Sequence, residues 1–264
     1  MTEFPGPAVA RLPRRDRLAI LIALAGVTLL AWATLIDMSL GMAEPNDAAM
    51  ELMKLKAWTP TDFVFMFLMW AIMMVGMMVP TAAPMTLVYA AVARKAAKQG
   101  AVLAPAAAFV SGYVVLWCLF SLGATALQWG LDRAALLSPM LVATSPALGG
   151  GLLIAAGLYQ FTPLKASCLR HCRAPAHFFA QHWRPGFRGA FRMGAVHGAF
   201  CLGCCWALMG LLFFGGVMNL LWVAGITGFV LVEKLLPFGS AGGRAAGIAL
   251  VACGVAVLLG WSYP

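Results

Sequence analysis

Apolar residues in this chain run in long blocks, and the charges fall between the blocks. Stretches free of Asp, Glu, Lys and Arg cover 18–36, 63–93, 99–131, 134–164, 193–232 and 245–264. A helix needs about 20 apolar residues to cross roughly 30 Å of hydrocarbon, so these blocks read as membrane spans. The stretch 193–232 would make a single helix of about 60 Å. It must fold back, and Gly215, Gly216 and Asn219 mark the turn. The pattern predicts an all-α polytopic membrane helix bundle, one transmembrane domain over 1–264. Its seven spans lie near 17–38, 62–92, 101–130, 146–164, 191–214, 218–235 and 244–262. Segment 134–145, with Pro139 and Pro146 at its end, reads as a short interfacial helix. The outer loop 39–61 and the inner loop 165–192 are hydrophilic and too short for a separate domain.

Composition narrows the class further. Hydrophobic residues make up 62% of the chain and charged residues 10%, with a mean hydropathy of +0.89. An average soluble chain is about 25% charged, so a cytosolic enzyme, a disordered chain and a secreted disulfide scaffold are excluded. The net charge of +9 raises nucleic acid as a partner, but the placement of the bases removes it. With the N-terminus inside, the cytoplasmic segments hold Arg11, Arg14, Arg15, Arg17, Arg94, Lys95, Lys98, Lys165, Arg170, Arg173, Arg184, Arg188, Arg192, Lys234 and Arg244. Only Lys54, Lys56 and Arg133 face outward. This positive-inside bias predicts a cytoplasmic N-terminus, with the arginines against anionic lipid headgroups. The first span lacks a small-residue cleavage site after it and reads as an anchor.

All four histidines and five of the seven cysteines lie between 168 and 205. One group is Cys168, His171 and Cys172; the other is His197, Cys201, Cys204 and Cys205. At 100° per residue from His197, Cys201 falls at about 40°, Cys204 at about −20° and Cys205 at about 80°. Four soft or borderline ligands thus share one face, and Trp206 points away. Thiolate and imidazole suit Cu(I) first and Zn(II) second, whereas Mg and Ca want oxygen. Asp and Glu are absent from both groups. The bland reading is that cysteine packs as a small hydrophobe among glycines, which suits Cys118 and Cys253. His177 and His182 read as solvated loop histidines.

The second span carries Met66, Met69, Met73 and Met77 along a stripe about 80° wide, with Met74, Met78 and Met85 on a second. Thioethers select Cu(I), although methionine is also ordinary membrane filler. Pro80 and Pro84 are expected to break this helix near its middle and free carbonyls there. In the outer loop Glu44, Asp47, Glu51 and Asp62, with Met42, Met50 and Met53, read as a solvated face.

The run from Met69-Trp70 to Met77-Met78-Val79-Pro80 and Pro84-Met85 is joined by Gly157-Leu158-Tyr159-Gln160-Phe161-Thr162-Pro163-Leu164-Lys165 with Cys168 and Cys172. Gly203-Cys204-Cys205-Trp206, Met209 and Met218-Asn219-Leu220 complete the set. Over roughly 60–235 the chain resembles a bacterial family described as predicted metal-binding integral membrane proteins, sometimes labelled copper chaperones. The resemblance implies metal binding at the cysteines. The Met-x-x-x-Met spacing is also similar in kind to that of eukaryotic copper transporters.

The sequence therefore points to a non-enzymatic membrane protein that binds Cu(I), with Zn(II) second, and transfers or transports it. The ligands are drawn from Cys168, His171, Cys172, His197, Cys201, Cys204, Cys205, Met69, Met73 and Met77. Its partners are the bilayer, the metal ion and a cytosolic or periplasmic metal-carrier protein. Two other readings stay open: a membrane thiol–disulfide carrier and a structural membrane subunit.

Overall fold

Four of the helices begin at a residue whose side chain caps them. The computed structural model describes residues 12–43, 58–138, 141–236 and 239–261. After α1 (Arg14–Ala43) comes α2 (Pro60–Ala97), opened by a capping box in which Thr59 and Asp62 bond each other's backbone N–H groups. The chain then forms α3 (Ala106–Arg133), α4 (Pro146–Tyr159) and α5 (Pro163–Arg173). Ser145 and Thr162 cap α4 and α5, each followed by proline at the first helical position. Next come α6 (Pro175–His182), α7 (Gly186–Gly210), the single turn α8 (Leu212–Gly215), α9 (Leu220–Leu235) and α10 (Gly239–Leu258). The fold is an all-α bundle.

Among the described residues, α1, α2, α3, α7 continued through α8, and α10 are each long and apolar enough to cross a membrane. The expected span 146–164 is two helices meeting at a 64° bend, and only the pair together meets that length. Thr162-Pro163 restarts the helix there. At 16 residues, α9, which stands where span 218–235 was expected, reaches about 24 Å and falls short of that length. The expected turn after 214 is present, with Gly216 at φ 91° and Asn219 capping α9.

Three expectations are corrected. Pro80 and Pro84 do not break α2, which runs unbroken through both. Nearby hydroxyls take up backbone carbonyls there: Thr81 and Tyr113 both donate to the Met78 carbonyl, at 2.8 and 3.0 Å, and Thr86 donates to that of Ala82. The carbonyls that the prolines leave without an N–H donor are those four residues earlier, Gly76 and Pro80, and membrane helices tolerate such gaps where neighbouring helices pack around them. The described part of 134–145 is not helical. Ala135 and Leu141 take φ near +56° and +58°, and Leu137 pairs with Ala143 in an antiparallel bridge. The hydrophilic inner loop is instead the pair α5 and α6. From α6, Phe178 and Phe179 are buried, and Phe179 packs against Tyr89 and Phe109. The outer-loop residues Glu44, Asp47, Met50, Glu51, Met53, Lys54 and Lys56 lie outside the described residues, as do Arg11, Pro139, Pro264 and the Met42 side chain.

α3 packs along α7, α2 along α1 and α3, and α10 along α4. The α3–α7 crossing is held close by two glycines. A Cβ on Gly112 would overlap the Phe191 carbonyl, and one on Gly194 the Phe109 carbonyl. Backbones touch there, which is how membrane helices gain packing without a hydrophobic driving force. This contact sets the thiol-bearing face of α7 against α2 and α3.

Candidate metal site

The cysteine face of α7 is turned inward, as its angular spacing requires. Cys201, Cys204, Cys205 and His197 are buried, while Trp206 is about half exposed at 49%. Helix α5 runs against α7 and brings its own thiols. Cys172 and Cys204 interact across the two helices, and Cys204 and Cys201 each interact with Cys205. Cys168 lies so close to Gly203 that a Cβ there would sit 2.7 Å from its Sγ. Tyr159 donates to the Gly203 carbonyl and ties the end of α4 to the same turn.

The Cys204 and Cys205 thiols each donate to the Cys201 carbonyl at 3.0 Å. With the thiols turned onto the backbone, no three His, Cys, Asp or Glu side chains among the described residues stand in a metal-binding arrangement. Rotation about χ1 is the motion that would redirect those sulfurs. All seven cysteines are free thiols.

The methionines line the same interior. Met69, Met73, Met74, Met77 and Met78 are buried and pack in one core with Cys168, Cys201, Cys204, Cys205 and Met209. Met85 belongs to a second core with Tyr89, Phe109, Phe178 and Met193. At one end of the methionine stripe, Gln128 donates to the Met66 sulfur at 3.4 Å and accepts from the Trp70 indole at 2.6 Å.

The histidines divide. His197 is one helical turn from Cys201, stacked on Tyr113 with ring centres 5.4 Å apart, and its buried Nδ1 has no hydrogen-bond partner among the described residues. His171 is held elsewhere: its ring lies flat on Phe200 at 4.1 Å and its Nδ1 meets the Ser167 carbonyl. His177 and His182 keep it company, His177 facing His171 and His182 stacked on Phe178.

Sequence reasoning missed three residues around Cys201. Lys234 of α9 donates to Cys201 Sγ at 2.9 Å and to Thr81 Oγ1 at 3.4 Å. The Tyr113 hydroxyl of α3 lies 3.0 Å from the same sulfur and 3.3 Å from Thr81. Four helices thus converge on one thiol. Beside it, Lys165 forms a buried ion pair with Glu233 at 2.8 Å and also donates to Gln160. Lys165 and Lys234 were expected among the cytoplasmic bases, yet they are only 2% and 7% exposed. Charges at the ends of apolar blocks, Lys165 and the adjacent Glu233-Lys234, were the available signal, because buried charges in such bundles mark sites.

A family model described as PpoB2, copper chaperone, matches residues 67–257. The chain belongs to this copper-chaperone family. The matched region contains Met69, Met73 and Met77 of the α2 stripe and all the thiols of α5 and α7. No curated protein and no solved structure matches the chain.

Proposed function

We propose that this member of the copper-chaperone family binds Cu(I) inside the membrane bundle and passes it between thiolates, with Cys201, Cys204, Cys205 and Cys172 as the acceptors. The observation that carries this reading is the convergence of thiols from α5 and α7 inside a methionine-lined core. Soft sulfur donors with no carboxylate among them favour Cu(I), with Zn(II) behind it. Copper is cargo here, and no catalytic step is assigned.

Transfer proceeds by ligand exchange. Cu(I) held by two thiolates of a carrier moves onto two protein thiols through a three-coordinate intermediate. Two copper–sulfur bonds form as two break, the two thiol protons leave on the carrier's sulfurs, and copper stays Cu(I). Adjacent thiols on one helical face suit such a relay, because each step exchanges one ligand. The thioethers of Met69, Met73 and Met77 bind more weakly than thiolate and supply the path toward the cysteines. The bundle sits in a bacterial inner membrane with its N-terminus cytoplasmic.

One observation favours the rival thiol–disulfide carrier: Cys172 and Cys204 interact across two helices. Elemental analysis of the purified chain, with a thiol count before and after reductant, separates the two. Bound copper with every cysteine reduced, and a thiol count that reductant leaves unchanged once the copper is chelated, is the expected result. A metal-free protein whose thiol count changes reversibly by two would replace this reading with the carrier.

A further inference from the structure

Lys234 is a buried cation whose direct partners are a sulfur and a hydroxyl, with no carboxylate hydrogen-bonded to it. The other buried cation, Lys165, is matched by Glu233 at 2.8 Å. Lys234 has instead a sulfur, Cys201 Sγ at 2.9 Å, and a hydroxyl, Thr81 Oγ1 at 3.4 Å. It also lies within electrostatic reach of Cys204, Cys205 and Tyr113. An ammonium taken out of water is costly unless an anion answers it. Two thiolates around one Cu(I) make a complex of net charge −1, which is equally costly to bury alone.

We propose that Lys234 is the built-in counter-ion of the loaded site, so that the protein holds a monovalent soft cation between two thiolates as a neutral unit. This inference rests on the copper-binding reading above. Lys234 is a positioning residue that touches the ligand sulfur and not the metal. Its place on α9 means that the charge comes from a different helix than the thiols, with Thr81 and Tyr113 holding the ammonium and sulfur in register. Glu233 next to it in sequence lies within electrostatic reach of Lys234 but is ion-paired to Lys165 at 2.8 Å, so that pair is neutral as a unit.

A metal of different charge separates this role from simple packing. Hg(II) also binds two thiolates linearly, but that complex is neutral and needs no counter-ion. The full-length chain in lipid nanodiscs is titrated with Cu(I) against bicinchoninate and with Hg(II) against glutathione, for the wild type and Lys234→Gln. Lys234→Met is the second neutral variant, read if glutamine disturbs assembly. The expected result is a Cu(I) affinity lowered by about 100-fold or more, with Hg(II) affinity nearly unchanged. Equal losses for both ions would make Lys234 a packing residue, and an unchanged Cu(I) affinity would remove it from the site; either overturns the inference. A wild type that binds no Cu(I) would instead overturn the functional reading beneath it.

Discussion

At the scale of single residues, the site is a problem of where sulfur points. Gly203 faces the Cys168 thiol, and a methyl group there would come within 2.7 Å of it. Gly203→Ala is therefore expected to displace Cys168 and cost about 1–3 kcal/mol of stability, as overpacking does. Thermal unfolding in detergent checks this, and an unchanged midpoint would show that the thiol moves aside freely. The cysteine face of α7 was legible because a 100° step fixes which residues share a side of a helix. Lys234, Tyr113 and Thr81 were not, since each lies on another helix and no periodicity relates them to Cys201. His171 illustrates the converse. Its position beside Cys172 suggested a ligand, and in the structure its ring is stacked on Phe200, a contact that no spacing along the chain foretold.

At the scale of elements, two features carry separate tests. The first is the methionine stripe of α2, buried in the same core as the thiols. Replacing Met69, Met73 and Met77 together with leucine keeps volume and apolarity, so stability should change by less than about 1.5 kcal/mol per site. Copper accumulation in cells is expected to fall while Cu(I) binding by the purified chain at the cysteines remains. Unchanged accumulation would make the stripe ordinary packing. The second is the Lys165–Glu233 pair, which fastens α5 to α9. Glu233→Gln leaves a buried ammonium unanswered and should destabilise the bundle by about 3–5 kcal/mol, with Lys165→Met added to it restoring much of the loss. Denaturation of the single and double variants reads this directly, and additive losses would contradict it. Helix positions were largely visible in the apolar blocks. The bend at Thr162-Pro163 was hidden because an uncharged block reads as one span even when a capping residue and a proline divide it. Continuity of α2 through Pro80 and Pro84 was equally hidden, since tolerance of proline depends on the neighbouring helices and leaves no periodicity along the chain.

At the scale of the whole molecule, charge distribution sets the expected topology. Reporter fusions at Gln99 and at the C-terminal Pro264 are expected to lie on opposite sides, with Gln99 cytoplasmic; reports from one side would show an even number of crossings between them, and α9 would be the first helix to reassign. The membrane class and the family were both legible in the sequence, and the match over 67–257 agrees with the resemblance carried by its methionines and cysteines. The packing that gathers α2, α3, α7 and α9 around one thiol was not, because it depends on close helix approaches such as that at Gly112 and Gly194. The central claim is that the thiols on α7 hold Cu(I). The direct measurement is an equilibrium Cu(I) titration of the full chain in nanodiscs beside the same chain carrying Cys204→Ser and Cys205→Ser. Stoichiometric binding by the first and none by the second is the predicted result, since a hydroxyl is a poor ligand for a soft metal. Equal stoichiometry and affinity in both would place the copper elsewhere and contradict the account.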